Sequence, residues 1–255
     1  MSDASSSSPS SAIRAIVTGH TRGFGEALAG ALLERGISVL GLSRNRHPAL
    51  ASRGAATFDQ IELDLSSVEP IAQWLGGDHL QRFIGDAQRV VLFNNAGTVQ
   101  PIGPLDVQDA SAVAQSVILN VAAPMMLSSA FATASARAAD RRIVHLSSGA
   151  ARHAYAGWSV YCATKAALDH HARSVALDSN RALRICSIAP GTLDTDMQAE
   201  LRESTAERFP MRERFVEYKR TGKLTTPHDA ALKMIDYVLS DAFGTTPTAD
   251  LRELP

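Results

Sequence analysis

Five short apolar runs limit what this chain can fold into: residues 12–17 (AIRAIV), 37–42 (ISVLGL), 89–93 (RVVLF), 142–146 (RIVHL) and 184–189 (RICSIA). Most are rich in β-branched residues, and Gly, Asn, Ser or Pro bounds them. A strand that buries one face alternates apolar with polar residues, whereas a run that is apolar throughout is covered on both faces. A weaker run, 56–63, falls between the second and third. Stretches at Phe24–Arg35, about Val68–Leu75, Ser111–Ala138 and Ser159–Ser179 read as helices. Strands separated by helices pair in parallel, so the pattern predicts an α/β protein: a doubly wound parallel sheet with helices on both faces. With 255 residues and 45% hydrophobic content, the chain supports a single domain over 12–255. Residues 199–223 mix acids and bases and break the alternation. They read as an excursion that covers the mouth of a site.

A net charge of −1 supplies neither a basic field for nucleic acid nor a polybasic surface for a membrane. No uninterrupted apolar run approaches the roughly 20 residues of a bilayer span. Cys162 and Cys186 lack metal-ligand spacing, and two cysteines make no disulfide framework in a chain of this length. Arg46 and His47 read as solvent-exposed, and His47 has no second metal ligand at ligand spacing, so no metal is expected. Residues 1–11 are Ser-rich and lack the basic start and apolar middle of a secretory signal. They read as a disordered polar tail, and a cytoplasmic protein is expected.

The first run is followed by TGHTRGFGEALA (18–29), in which Gly19, Gly23 and Gly25 have the spacing G-x3-G-x-G at a strand-to-helix turn. Glycines there allow a tight turn and bring backbone N–H groups close to a phosphate, and the helix N-terminus adds a favourable field. The end of the second run selects the dinucleotide. An acid there would accept from the ribose hydroxyls of NAD. This chain has Arg44, in LSRNR, and a second cation, Arg22, inside the glycine turn. Two guanidinium groups converging there match the 2′-phosphate of NADP. Read singly, each is also an ordinary surface charge. Asp64, in ELDLS, fits either an acceptor for the adenine amino group or an acid at a helix start. Asn94-Asn95-Ala96-Gly97 closes the fourth strand. Small residues there let a cofactor pass over the sheet edge, and asparagine side chains tie strand ends together.

Tyr161 and Lys165 stand four apart in SVYCATKAAL, so a helix places them on one face. A free tyrosine titrates near 10 and exchanges a proton poorly at neutral pH. A nearby ammonium group, and a cationic oxidised nicotinamide, are expected to lower that value. Ser148, thirteen residues earlier, follows a strand ending LSS, and Asn120 sits mid-helix, where asparagine is disfavoured. These are the parts of a carbonyl reduction: Tyr161 protonates the developing alkoxide, Ser148 holds the oxygen, and Asn120 holds a water that links Lys165 to solvent. Singly, each also fits a packed ring, a solvated amine, a turn cap or a local backbone contact.

Taken in order, TGx3GxG (18–25), NNAG (94–97), Asn120, Ser148, Yx3K (161–165) and PG (190–191) resemble the short-chain dehydrogenase/reductase family over the whole chain after the tail. The resemblance implies a Rossmann-like fold, NADP(H) at the carboxyl ends of the strands, and a catalytic set of Asn120, Ser148, Tyr161 and Lys165. It places the cofactor against Gly19, Arg22, Gly23, Phe24, Gly25, Arg44, Asn45, Asp64, Leu65, Asn95, Ala96, Gly97, Tyr161, Lys165, Pro190, Gly191, Leu193 and Thr195. It places a small-molecule carbonyl or alcohol substrate against Ser148, Tyr155, Trp158 and Asp250. GWSVYCATKAALD (157–169), APGTLDTDMQ (189–198) and TGKL (221–224) are similar to the sepiapterin-reducing branch and its bacterial diketone-reducing relatives. In that branch an aspartate near the C-terminus anchors the pterin, and Asp250 stands at the matching place. The resemblance also implies a homodimer or homotetramer formed by the long helices. The expected activity is NADPH-dependent reduction of a ketone or vicinal dicarbonyl, with NADP-dependent alcohol oxidation and a non-catalytic NADP sensor as the competing readings.

Overall fold

A computed structural model describes residues 13–50, 56–178, 180 and 182–254. The Ser-rich tail, residue 12 of the first run and Ser179 lie outside the described residues. Seven strands, β1 (Ile13–Thr18), β2 (Ser38–Ser43), β3 (Phe58–Glu62), β4 (Arg89–Asn94), β5 (Asp140–Leu146), β6 (Leu183–Ala189) and β7 (Thr248–Asp250), form one sheet in the order β3-β2-β1-β4-β5-β6-β7. Every neighbouring pair is parallel.

The continuous apolar runs are buried on both faces. Ala15, Val17, Val91, Phe93, Val144 and Ile188 point to one face, where they pack with α1 (Gly23–Glu34) and α9 (Pro227–Leu239). Their neighbours Ile16, Val90, Leu92, Ile143 and Ile185 point to the other. There they meet α2 (Val68–Leu75), α3 (His79–Ile84), α5 (Ala123–Ala134) and α6 (Ser159–Val175). This is the period-2 alternation of a strand, with both sets of side chains apolar.

The stretch expected as one helix over Ser111–Ala138 is α4 (Ala110–Val117), a π-helical turn at Ile118–Ala122 and then α5. Together, Ala110–Ala134 is long and apolar enough by length and composition to cross a bilayer, which corrects the expectation that no stretch approaches this. Here its inner face packs on the sheet through Leu127 and Phe131, and Asn120 within it is buried. Three elements were not expected: α3, α9 and the three-residue β7. The excursion forms α7 (Asp196–Glu203) and α8 (Arg212–Arg220), which pack on each other.

Candidate active site

The strand order reverses between β1 and β4, and in open α/β sheets the crevice outside the carboxyl ends of the strands at such a point is where ligands sit. A cleft of about 1160 Å³ lies there, walled by the segments that follow β1 to β6 and by α7 and α8. All the residues expected to contact a cofactor line it, as do Ser148, Tyr155 and Trp158. Asn120 and Asp250 do not.

Gly19 and Gly23 have φ of +69° and +57°, which side-chain-bearing residues rarely adopt. Gly25 has a different need: a Cβ there would lie 2.1 Å from Gly19 O and 2.4 Å from Asn95 Nδ2. The turn therefore closes against the first turn of α1 only because Gly25 has no side chain. Its floor is tied across the sheet. Thr18 Oγ1 accepts from Asn95 N and Ala96 N, both at 2.9 Å, and Asn95 Nδ2 donates to Thr18 O at 2.8 Å. Such a cradle, opening onto a helix N-terminus, fits a pyrophosphate.

At the end of the cleft beside β2 and β3, Arg22 and Arg44 line it from two different segments. Arg22 is exposed and its nearest acid is Asp196, at 3.6 Å. Asp64 Oδ1 accepts from Ser66 N (2.9 Å) and Ser66 Oγ (2.7 Å). The Ser66 hydroxyl, more than the nearby Arg44, pulls the Asp64 carboxyl below its usual range. His47 is not the exposed residue expected from sequence. Its side chain is 12% exposed, and Nδ1 accepts from Ala49 N and Leu50 N at 3.1 and 3.0 Å. Gln60 Oε1 accepts from His47 N at 2.6 Å and lies 2.9 Å from Nε2 of the buried His20. The loop carrying Arg44 and Asn45 is thereby fastened to β3 and to the glycine turn. His20 and Gln60 were not singled out from sequence. Gly41 was the available signal, since a Cβ there would meet the His20 ring at 2.5 Å.

Tyr161 and Lys165 share the inner face of α6 at 6% and 5% exposure, and Lys165 Nζ lies 5.7 Å from the Tyr161 ring centre. Lys165 Nζ donates to Leu146 O at 2.7 Å. Burial lowers the ammonium pKa to about 8, and Asp169 opposes that shift. Burial pushes the Tyr161 phenol up to about 12, and Ser148 opposes it in part. Among the protein's own groups, burial therefore sets a direction opposite to the acidification expected from the lysine and an oxidised nicotinamide together. Ser148 Oγ accepts from Ala150 N at 3.2 Å, which leaves the hydroxyl hydrogen for another acceptor. Asn120 sits in the π-helical turn, a feature often found at functional sites. Its Oδ1 accepts from Thr98 N, and its Nδ2 donates to Thr98 O, each at 2.9 Å, and to Thr164 Oγ1 at 3.1 Å. A Cβ on Gly97 would lie 3.2 Å from Asn120 Oδ1 and 3.6 Å from Lys165 Nζ, so the missing side chain keeps a gap open between these groups.

Beyond Tyr161 the cleft has an aromatic wall. The Trp158 ring centre lies 4.9 Å from Tyr161, 5.7 Å from Tyr155, 4.8 Å from Phe209 and 5.8 Å from Phe215. Tyr218 continues it at 6.0 Å from Phe215. Asp250, expected at the substrate, is buried on β7 and does not line the cleft, and both its oxygens are held by Arg252, at 2.9 and 2.6 Å. Arg252 is the member of that pair that lines the cleft.

A cradle for a pyrophosphate at one end of the cleft, and a buried lysine one turn from a tyrosine at the other, are what a nucleotide-dependent oxidoreductase needs to set a cofactor against a carbonyl or alcohol. The chain belongs to that class: residues 14–206 match the short chain dehydrogenase family, whose members use NAD(P)(H). It is 31% identical over 238 residues to a benzil reductase of the (S)-benzoin-forming type from Bacillus cereus, covering 89% of this chain and 94% of that protein. It is 32% identical over 244 residues to sepiapterin reductase from Xenopus tropicalis, covering 89% and 92%. Among solved structures, a short-chain dehydrogenase/reductase from Burkholderia vietnamiensis has 53% identity and a TM-score of 0.70, covering 96% of this chain and 99% of that one.

Proposed function

We propose that the protein is an NADPH-dependent carbonyl reductase whose substrate is an aryl ketone or aryl vicinal diketone of the benzil type. The observation that carries this reading is the aromatic wall, built from Trp158, Tyr155 and Phe215, that meets the Tyr161 ring inside the cleft. Flat aromatic groups bury well against such rings. The similarity to benzil reductase over nine-tenths of the chain supports the same class. A pterin is less well provided for, because the Asp250 carboxylate is already committed to Arg252.

The Gly19–Gly25 turn, Arg22 and Arg44 would hold NADPH, which supplies the hydride. The rest is done by side chains of this chain. Ser148, whose hydroxyl faces the Tyr161 phenol, donates its hydrogen to the carbonyl oxygen once substrate is in place. Tyr161 donates the phenolic proton to that oxygen as negative charge develops there. A phenol raised by burial keeps its proton at working pH and so is available as the donor. Lys165 stabilises the phenolate left behind. The gap at Gly97, between Asn120 Oδ1 and Lys165 Nζ, takes a water that returns the proton. The reading includes a homodimer or homotetramer in the cytoplasm.

The test is NADPH consumption with benzil, phenylpropanedione and sepiapterin. We expect the diketones to be turned over faster than sepiapterin, and Tyr161→Phe to lose about 100- to 10,000-fold in turnover. Undiminished turnover in Tyr161→Phe would remove the proton donor from the mechanism.

A further inference from the structure

The face of α6 that carries Tyr161 and Lys165 continues one turn further to Asp169, a carboxylate with 1% exposure that the mechanism above does not use. Its Oδ1 accepts from Ser147 Oγ at 2.6 Å and from Ser187 Oγ at 2.8 Å, so α6 is tied to the end of β5 and to β6. Its Oδ2 is buried and has no hydrogen-bond partner among the described residues, where the nearest cation is Arg152 Nε at 3.7 Å. Burying a carboxylate with an oxygen left unmatched is costly, and such a group needs a compensating positive charge. Arg152 supplies part of it. It is one-third exposed and spends Nη2 on Ala249 O at 2.9 Å. The other cation is Lys165, one helical turn away, which among the described residues has no carboxylate within ion-pair distance and whose hydrogen bond is to Leu146 O.

We propose that Asp169 is the positioning residue that keeps Lys165 charged, with Arg152 setting how much of its field reaches the lysine. The proposal rests on the reading of Lys165 as partner of Tyr161. The groups facing Lys165 are few. From β5 come His145 and Leu146 O; from the turn after β4, Gly97; from the π-helical turn, Asn120; and from α6 itself, Tyr161 and Asp169. Of these Asp169 alone is an anion. The neighbours of Asp169 are Ser147, Ser187, Arg152 and the Cys186 thiol, and burial pushes that thiol up to about 12, so it stays neutral. His145 is held far below its usual value by burial and contributes no charge of either sign at neutral pH. Burial works against the ammonium form of Lys165, and the charge of Asp169 works for it. The same carboxylate holds Ser147, next to Ser148, so it also fixes where that hydroxyl stands relative to Tyr161.

The chain contains only four lysines, Lys165, Lys219, Lys223 and Lys233, so the Lys165 side chain can be followed by NMR in the cofactor-free protein as pH is raised. Asp169→Asn keeps an oxygen for the two serines but removes the charge. We expect the Lys165 midpoint to fall by about one pH unit or more, and the alkaline loss of diketone reduction to move down with it. Arg152→Met removes the competing cation and is expected to move both upward. If Asp169→Asn does not fold, the Arg152→Met titration decides alone. A Lys165 midpoint that is unmoved in either soluble variant, or that moves the same way in both, overturns the proposal, whatever the turnover does. Because the titration needs no cofactor or substrate, failure here is separate from failure of Tyr161 as proton donor, which Tyr161→Phe reads.

Discussion

Replacing Thr18 with valine tests whether the cofactor cradle is held by one hydroxyl. Thr18 is 2% exposed at the end of β1. Its Oγ1 accepts from Asn95 N and Ala96 N at 2.9 Å and donates weakly to Phe93 O at 3.4 Å. Valine has the same shape, so no cavity opens, and its strand propensity is at least as good. The cost is therefore the polar groups left behind. Ala96 N, half-buried at the cleft, loses the partner it has here, which costs about 0.5–1.5 kcal/mol. Asn95 N retains Phe93 O at 3.1 Å and loses less, on the order of 0.5–1 kcal/mol. The sum, about 1–2.5 kcal/mol, is a measurable part of the roughly 5–15 kcal/mol that holds a typical domain together. Urea unfolding of the cofactor-free protein reads it as a lower midpoint at unchanged slope. Thr18→Ser keeps the acceptor and loses only a methyl group, so it is expected to stay within about 1 kcal/mol of the parent. NADPH binding is expected to weaken in the valine variant and to hold in the serine one, because Gly19 and Ala96 both face the cleft. Thr18→Val within about 0.5 kcal/mol of the parent, or Thr18→Ser as damaging as valine, would refute the argument.

Two other perturbations address cofactor choice and acid stability. Arg44→Asp is expected to weaken NADPH about 100-fold more than NADH, the scale of one or two lost charge-assisted bonds, and equal effects in a binding titration would reject the 2′-phosphate assignment. At the opposite end of the sheet, burial alone would raise the Asp140 carboxyl, but the buried Arg142 and then Arg184 outweigh it and hold the group at about 2. A pKa lowered on folding stabilises above the unfolded value of 3.8 and is lost as pH falls towards 2, so acid unfolding is expected to steepen across that window. Asp140→Asn should flatten the window and destabilise the protein at neutral pH by about 3 kcal/mol, because it leaves Arg142 buried without its counter-charge. Thermal melts across pH 2–7 compare the two proteins.

What could be read from the sequence and what could not divide along a physical line. Strands apolar on both faces, such as residues 89–93 and 184–189, announce a parallel sheet by composition alone. The glycine turn, Arg44, the NNAG segment and Ser148 each fall at the carboxyl end of a strand or just beyond it, so knowing the strands locates the cleft. The elements that went unread carry weaker local signals. β7 is three residues long on the edge of the sheet. The start of α9 was in fact marked: Thr226 caps it by accepting from Asp229 N at 3.1 Å, with proline in the first turn. His20 and Gln60 were invisible for another reason. Their contact joins residues forty positions apart, and neither residue type announces a partner.

Tyr161 marks where pattern reading meets its limit. Sequence spacing gives its neighbour, an ammonium group four residues on, and a neighbouring charge argues for a more acidic phenol. It does not give how far water is excluded. With the ring 6% exposed, desolvation of the phenolate outweighs the Ser148 interaction, and the lysine lies 5.7 Å from the ring centre. The lysine is itself desolvated, so its charge depends on Asp169, whose place beside Ser147 and Ser187 only the folded chain reveals. A phenol raised by burial arrives protonated, and the charge of Lys165 is what can stabilise the phenolate once the proton has left. On the proposed reading of the site, the upper pH limit of carbonyl reduction is therefore expected to follow the charge on Lys165 rather than the acidity of Tyr161.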